Sequence, residues 1–591
     1  MPEPQQPEPT RLLTALDLPR RWAGQHHFTL LDASHRCWLN FITLWRVWRA
    51  DPLRPRLLHH VAITVQPGPV NWPATNLCPE LQALAEQLQH ALWGLLPGFH
   101  RLSFDGGQVL LTVCVGDPQT QLRQLTLAAD AVWLDFTAPG TSSSVHALKA
   151  IATCCRRGTA VVAANTTPQT TQYLAQCGFT AVTQAPVWQG QYNPAWPLKN
   201  AASSKLCQPG KCMVVGAGLA GAALAASLAR RGWRVTVLDA AAAPAAGASG
   251  LPAGILAPHV SPDDSLLSRL SRAGVRMTLQ QAQSLLDTGQ DWAPTGVLER
   301  CLDHPRRLPA AWQADAAVAA AAHDWVRPAS DAQLAACGLN ADDEVTALWH
   351  AQAGWVKPAQ LVNGWLRTPG VQWRGHSTVS RLQRVDAAWQ ALNAAGDSLA
   401  TADLVVLAAG YATAALLAPL AATPLALQAI RGQVSFAPHA PGTASACPVF
   451  PVNGHGHLLA NLPLGDSGHP PSWMIGSTFE RDSTALTPQV SDDQHNLQRL
   501  QTLLPRCAQT LTQTTPALQA WAGVRCATPT RLPSVGSVPG VDGVWVCTGM
   551  GSRGLTFAAL CGELLAAQLH GEPWPIEQRL AKGLRPDFEA Q

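Results

Sequence analysis

Short apolar, β-branched runs recur through the first third of the chain: HHVAITV at 59–65, VLLTVCVGD at 109–117, AVWLDF at 131–136 and GTAVVAAN at 158–165. Leu-, Ala- and Gln-rich stretches of helical periodicity separate them, so residues 1–187 predict alternating strands and helices, a parallel sheet with helical cover. The polar, Pro-containing stretch from Trp188 to Lys211 interrupts this pattern, and residues 188–210 read as a linker. The alternation then restarts with CMVVGAGLAGAALAASLARRGWRVTVLDA, which reads as strand, glycine turn, helix and second strand. From about 270 to 520, Ala-rich helical patterns mix with strands and predict a separate substrate-binding part. Tracts such as AAAAPAAGA read as compositional bias.

A chain of 591 residues is too long for one core. With 47% hydrophobic and 13% charged residues it has a globular composition, and its net charge of +3 admits a nucleic-acid partner without requiring one. The uncharged stretch from Leu404 to Ile430 has the length of a membrane span, but Gly410, Pro419 and Pro424 interrupt it, and no membrane association is expected. The N-terminus has no basic segment followed by an apolar one, and the 15 cysteines show no paired metal-ligand spacing. Together these predict a cytoplasmic protein with reduced, structural cysteines. His26, His27, His59 and His60 are adjacent pairs rather than same-face helical ones, so no metal is expected.

Gly216, Gly218 and Gly221 form G-x-G-x-x-G directly between an apolar strand and a helix. Glycine there permits a tight turn and close approach of a pyrophosphate, which the helix N-terminus then faces. Asp239 ends the next strand, placed for a ribose hydroxyl. This fingerprint does not by itself separate FAD from NAD. LVVLAAGYAT at 404–413 adds a strand ending at Gly410, and GVWVCTGMGSRGLTFAALCGELLAAQL at 543–569 adds a strand, the turn glycines Gly549, Gly551 and Gly554, and a helix. A dinucleotide domain assembled from separated segments, with a substrate part between them, resembles the glycine oxidase and D-amino-acid oxidase class of flavoproteins. No second G-x-G-x-x-G is present for NADPH, so electrons are expected to come from the substrate.

A closer resemblance is carried by GASGLPAGILAPHVSPDDSLLSRL, GWVKPAQLVNGWL, IRGQVS, IGSTFERD, GVRCATPTRLPSVGSVPG and GMGSRGLTFAALCGELLAAQL. From about Lys211 to Pro575 the chain resembles the C-terminal half of the bifunctional tRNA 5-methylaminomethyl-2-thiouridine biosynthesis family. The resemblance implies FAD-dependent oxidation of 5-carboxymethylaminomethyl-2-thiouridine at the tRNA wobble position, leaving the aminomethyl base and glyoxylate. It implies Arg525 as the fork for the arm's carboxylate, with Arg553 second. It also brings Gly247, Ser249 and Gly250 of GASG close to the flavin. The expected segments are 211–290, 351–415 and 520–575 for FAD binding, and 291–350 and 416–519 for substrate, within an oxidoreductase spanning 211–591.

The N-terminal third resembles the family's S-adenosylmethionine-dependent methyltransferase through LNFITLWRVW, LLPGFHRLSFDGGQVLLTVCVGD and VWLDFTAPG. The expected architecture is therefore α/β, a Rossmann-like methyltransferase fold followed by a two-part FAD-binding Rossmann domain with an inserted α+β substrate domain. Where the family carries E-S-G-F-G-T-G-L-N-F, this chain reads Asp32 to Phe41, with Ser34, Arg36 and Trp38 in place of the glycines. Those side chains are expected to fill the cradle for the methionine part of the cofactor. Gln66 replaces the family's ribose-binding Glu, and Asp135 to Pro139 keeps the acid of D-G-F-A-P but loses its glycine, while Gly116 and Asp117 match the adenine side. S-adenosylmethionine is thus expected only if this module is active. An enzyme with both activities, and a free amino-acid oxidase, remain as alternatives. The expected partner is tRNA, met by Arg269, Arg272, Arg276, Arg306 and Arg307; oligomeric state is open.

Overall fold

The computed structural model describes residues 13–65, 77–137, 145–183, 187–198, 207–302, 307–313, 315–339, 346–465, 469–514 and 517–588. Gln66, Ala138, Pro139 and Arg306 lie outside the described residues. The chain divides into two compact units, 1–208 with 315–321 and 566–582, and 209–314 with 322–565 and 583–591.

The first unit is a twisted eight-stranded sheet. Its strands are β1 (His27–Ala33), β2 (Leu57–Thr64), β3 (Gly98–Phe104), β4 (Val109–Val115), β5 (Ala129–Asp135), β6 (Cys155–Ala164), β7 (Phe179–Thr183) and β8 (Trp188–Tyr192), in the order β3-β4-β2-β1-β5-β6-β8-β7. The central strands pair in parallel, Leu30 beside His60 on one flank and Ala131 on the other. β1, β4 and β5 are buried almost throughout, as continuous apolar runs between two helical layers must be. Alternate residues of β1 feed opposite cores: Phe28 and Leu30 join Trp22, Trp45 and Trp48, whereas Leu31 and Ala33 join Val61 and Ile151.

Two boundaries differ from the sequence reading. Trp188–Tyr192, placed in the linker, is a strand paired with β6 and β7; Trp188 fills the core beneath it. Its polar residues Gln189 and Gln191 alternate with buried ones, a pattern that proline and asparagine nearby obscured. The second difference is at the C-terminus, where residues 566–582 group with the first unit. Arg101 donates to the carbonyl of Pro573 at 2.6 Å, and His59 Nε2 lies 3.3 Å from Glu572 Oε2, both side chains buried.

The second unit contains a six-stranded sheet in the order Val371–Arg374, Arg234–Leu238, Lys211–Val215, Leu404–Leu407, Val544–Thr548 and Ser534–Ser537. Only the last strand runs antiparallel. Helix Leu219–Arg230 packs on it through alanines, and helix Gly554–His570 approaches so closely that a Cβ on Gly562 would lie 3.0 Å from the backbone of Leu224. Between these helices Glu563 faces Arg230, Arg231 at 3.0 Å and Ser227 at 2.7 Å. Burial alone would raise its pKa, but the two guanidinium groups outweigh that and hold the carboxyl far below the usual carboxylate range. A nine-stranded sheet forms the inserted part; in it Gln428–Pro438 pairs antiparallel with Gln519–Ala527, from Gln428 opposite Ala527 to Phe436 opposite Gln519. Residues 519–527 therefore belong to the nine-stranded sheet, since their long partner strand lies there.

Cys447 and Cys507 form a disulfide with Cα atoms 5.5 Å apart, a correction to the expectation that the cysteines are all reduced; sixty residues of separation left no spacing signal. Among the described residues no helix is long and apolar enough to cross a membrane. The 404–430 stretch instead holds a four-residue strand and the short helix Thr413–Leu417.

Candidate functional site

A cavity of about 910 Å³ runs from the six-stranded sheet to the nine-stranded one within the second unit. That is near the top of the range of roughly 300–1,000 Å³ for small-molecule sites, the room a dinucleotide and a substrate need together. Gly216, Gly218, Asp239, Gly247, Ser249, Gly410, Gly549, Gly551, Gly554, Arg525 and Arg553 all line it; Gly221 and Gly250 do not.

The glycine turn is built by close backbone approach. Gly216 has φ +110°, and a Cβ there would stand 2.5 Å from the carbonyl oxygen of Ala408; on Gly221 it would stand 1.9 Å from that of Gly216. Gly221 thus serves the packing of helix on turn, and Gly218 begins the helix whose N-terminus faces the cavity. Asp239 accepts the N–H of Ala217 at 2.7 Å and that of Ala241 at 2.9 Å, one on each carboxylate oxygen. Each oxygen keeps a second lone pair for a hydroxyl. Ser249 accepts the N–H of Leu219 at 2.9 Å, so the GASG segment is tied to the helix start. A Cβ on Gly247 would meet nothing within 4 Å.

The tract AAAAPAAGA is not mere bias. Ala240, Ala241, Ala246 and Ala248 line the cavity wall beside Gly247, where larger side chains would intrude. Together the bare turn, the helix N-terminus and the acid at the second strand's end fit an FAD's pyrophosphate and ribose.

At the other end Arg525 projects from the strand Gln519–Ala527 and is held by Ser477 Oγ at 2.7 Å and the carbonyl of Thr478 at 3.3 Å. Burial pushes its pKa down to about 10, so the guanidinium stays charged near neutrality. The neighbouring strand makes room for it: a Cβ on Gly432 would fall 2.3 Å from Arg525 Nη1 and 2.6 Å from the Thr478 carbonyl. Phe479 stacks on the guanidinium, with Cζ 4.5 Å from the ring centroid.

Sequence reasoning missed three polar residues here. His350 Nε2 lies 2.9 Å from Glu299 Oε2 and its buried Nδ1 has no hydrogen-bond partner among the described residues; both side chains line the cavity. His457 lines it too, with a buried, unpartnered Nε2. Burial, seconded by the cations Arg525 and Arg499, pushes His457 down to about 4, so it is neutral. These residues come from three separated strands, and no local pattern joins them.

His457 and, in the first unit, His59 predict acid sensitivity. Burial holds His59 at about 4 as well, against an ordinary value of 6.5 for both. Between those values the unfolded chain binds protons that the folded chain does not, so stability rises with pH and is lost as pH falls from 6.5 towards 4. Urea midpoints at pH 7.0 and 5.0 are expected to differ for the wild type, and the gap to narrow in His457→Gln.

Two of the expected tRNA contacts are corrected. Arg272 is 7% exposed, bound to Asp264 at 2.7 Å and stacked on Trp312, and Arg276 is 1% exposed beneath Trp325. Both point inward from helix Leu266–Leu285 and cannot reach a phosphate; Arg269 is half-buried and Arg307 exposed.

In the first unit β1 and β5 are where the strand order reverses, the position at which open α/β sheets bind ligands beyond their carboxyl ends. Side chains at these strand ends bond to one another. Asp32 accepts the N–H of Ser34 at 3.0 Å and Asn40 Nδ2 at 2.9 Å. His35 Nδ1 lies 2.6 Å from Asp135 Oδ2, linking the ends of the two strands. Asp135 also accepts from Thr137 and Asn165; burial would raise its pKa, but these donors and His35 hold it below the usual range. Of the three residues standing where the family has glycine, Ser34 is buried, Arg36 is exposed before helix Cys37–Ala50, and Trp38 packs back on the core. The side chain that links the ends of β1 and β5 is that of His35. Asp117 caps helix Pro118–Gln124 by accepting from Thr120 at 2.8 Å, and a Cβ on Gly116 would meet Gln121 at 2.7 Å. Among the described residues no group of three or more His, Cys, Asp and Glu is placed to hold a metal.

Comparison with known proteins agrees with this division. Residues 211–568 match the family described as FAD dependent oxidoreductase, and residues 79–191 match S-adenosyl-L-methionine-dependent methyltransferase. The chain is 54% identical over 594 residues to the tRNA 5-methylaminomethyl-2-thiouridine biosynthesis bifunctional protein MnmC of Polaromonas naphthalenivorans (strain CJ2), covering 98% of this chain and 92% of that one. To the protein of the same name from Delftia acidovorans (strain DSM 14801 / SPH-1) it is 48% identical over 603 residues, covering 96% and 92%. Among solved structures it is similar to an iminodiacetate oxidase from Chelativorans sp. BNC1, at 23% identity and TM-score 0.49, over 64% of this chain and 100% of that one. The chain belongs to the MnmC family of bifunctional tRNA-modifying proteins, with an FAD-dependent oxidoreductase part and a methyltransferase part.

Proposed function

We propose that the second unit oxidises the carboxymethylaminomethyl arm of 2-thiouridine at the tRNA wobble position, releasing glyoxylate and leaving the aminomethyl base. The single observation that carries this reading is Arg525: a charged, half-buried fork on the cavity wall, fixed by Ser477 and Thr478. A substrate with a carboxylate next to the reacting carbon fits such a fork, and a bidentate pair fixes the direction of the arm as well as its place. FAD would be held by Gly216, Gly218, Asp239 and Ser249, and supplies the two-electron acceptor when bound. The chain's own residues do the rest. Arg525 takes the carboxylate, the Glu299–His350 pair takes the proton of the arm's amine, and neutral His457 lies beside the fork to bond a polar atom of the arm. Water then cleaves the resulting imine. Arg553, at the start of helix Gly554–His570 and on the cavity wall, is the second cation facing the site.

For the first unit we propose a methyltransferase fold with impaired S-adenosylmethionine binding. The His35–Asp135 link across the strand ends supports this. Both functional assignments answer to one experiment: mass spectrometry of wobble nucleosides after undermodified tRNA is incubated with the protein, with and without S-adenosylmethionine. The expected product is the aminomethyl nucleoside in both arms. Full conversion to the methylaminomethyl form in the second arm reverses the reading of the first unit. No loss of the carboxymethyl arm in either removes the oxidase assignment.

A further inference from the structure

We infer that Phe479 is the stacking platform for the uracil ring of the substrate nucleotide, and so the side chain that separates a nucleotide-borne amine from a free amino acid. The inference rests on the function proposed above. Phe479 directly follows Ser477 and Thr478, the two residues that fix Arg525, and its ring lies over the guanidinium with Cζ 4.5 Å from the centroid. It lines the cavity, yet it is 58% exposed. Val434, which lines the same cavity, is buried, whereas this ring is an exposed aromatic on the same wall. An exposed aromatic at a cavity rim gives up the burial that stabilises its neighbours, and recovers it only when something flat and apolar covers it.

The geometry selects the cover. In the proposed substrate four bonds separate the arm's carboxylate carbon from the ring carbon that bears the arm, a reach of about 5 Å at about 1.5 Å per bond with tetrahedral angles. With the carboxylate on Arg525, the base comes within one ring's width of Phe479. A pyrimidine presents a π face that stacks on an aromatic side chain, the commonest way proteins grip an unstacked base. A free amino acid has no ring to place there. Phe479 therefore adds affinity for the nucleotide without touching the reacting carbon.

The test measures kcat and KM for an anticodon stem-loop bearing the carboxymethylaminomethyl arm, with wild type, Phe479→Leu, Phe479→Ala and Phe479→Tyr holoenzymes. Leucine keeps an apolar cover on Arg525 but removes the π face. The expected result is a roughly ten- to hundred-fold rise in KM for the Leu and Ala variants with kcat within about threefold, and near-complete rescue by Tyr. The inhibition constant of N-methylglycine, which has the carboxylate and amine but no base, is expected to stay within about twofold. Unchanged KM in Phe479→Leu, or a loss falling on kcat or equally on N-methylglycine, overturns the inference and leaves Phe479 as a support for Arg525. A wild type that does not oxidise the stem-loop defeats the underlying function instead.

Discussion

Arg525→Ala is expected to lower kcat/KM on carboxymethylaminomethyl-modified tRNA by roughly 30- to 5,000-fold, the range for removing one partner of a buried, hydrogen-bonded charge pair, about 2–5 kcal/mol. The loss is large because the cavity offers the carboxylate a fork already oriented by Ser477 and Thr478, so little ordering remains to be done on binding. Arg525→Lys keeps the charge but not the bidentate geometry and is expected to recover only a small part. Gly432→Ala reaches the same result from the adjacent strand: its Cβ would overlap both the guanidinium and the Thr478 carbonyl. Steady-state kinetics on purified holoenzyme check this, with the visible flavin spectrum as control for an intact cofactor site. Activity within about fivefold of wild type in Arg525→Ala would remove the carboxylate from this position.

Gly221→Ala is expected to yield protein that purifies without bound flavin and melts at a lower temperature. The added methyl would stand 1.9 Å from the Gly216 carbonyl, a backbone atom that cannot turn aside as a side chain can. Relief requires the helix Leu219–Arg230 to withdraw from the turn, and overpacking of this kind costs about 1–3 kcal/mol before any ligand is considered. The withdrawal also moves the helix N-terminus from the cavity, so affinity for FAD falls by at least about tenfold, or about 1.4 kcal/mol. Visible absorbance per mole of protein and a thermal melt with and without added FAD read both effects. A yellow variant with unchanged melting would mean that the turn and helix are looser than their spacing indicates.

The flavin end was legible because its chemistry is local. Gly216, Gly218, Gly221 and Asp239 lie within one strand–turn–helix–strand unit, so their spacing alone implied their geometry. Even there the roles divide in a way the motif did not reveal: Gly221 packs the helix, and both oxygens of Asp239 already hold backbone N–H groups. The substrate end was far less legible. Arg525 was found by family resemblance, whereas Glu299, His350 and His457 come from strands far apart in sequence and carry no motif. The basic helix Leu266–Leu285 misled for the same reason, since charge along a sequence does not state which face turns inward; Arg272 and Arg276 turn inward against tryptophans.

By itself the sequence determined the alternation of strands and helices on either side of the Pro-containing stretch and the glycine turn, because hydrophobic periodicity and glycine spacing act between residues that are neighbours along the chain. Only the tertiary structure decided which polar groups meet Arg525, that His35 reaches Asp135 across two strand ends, and that residues 566–582 join the first unit. Those outcomes depend on strand order and register, which set contacts between positions tens to hundreds of residues apart and leave no mark in local composition.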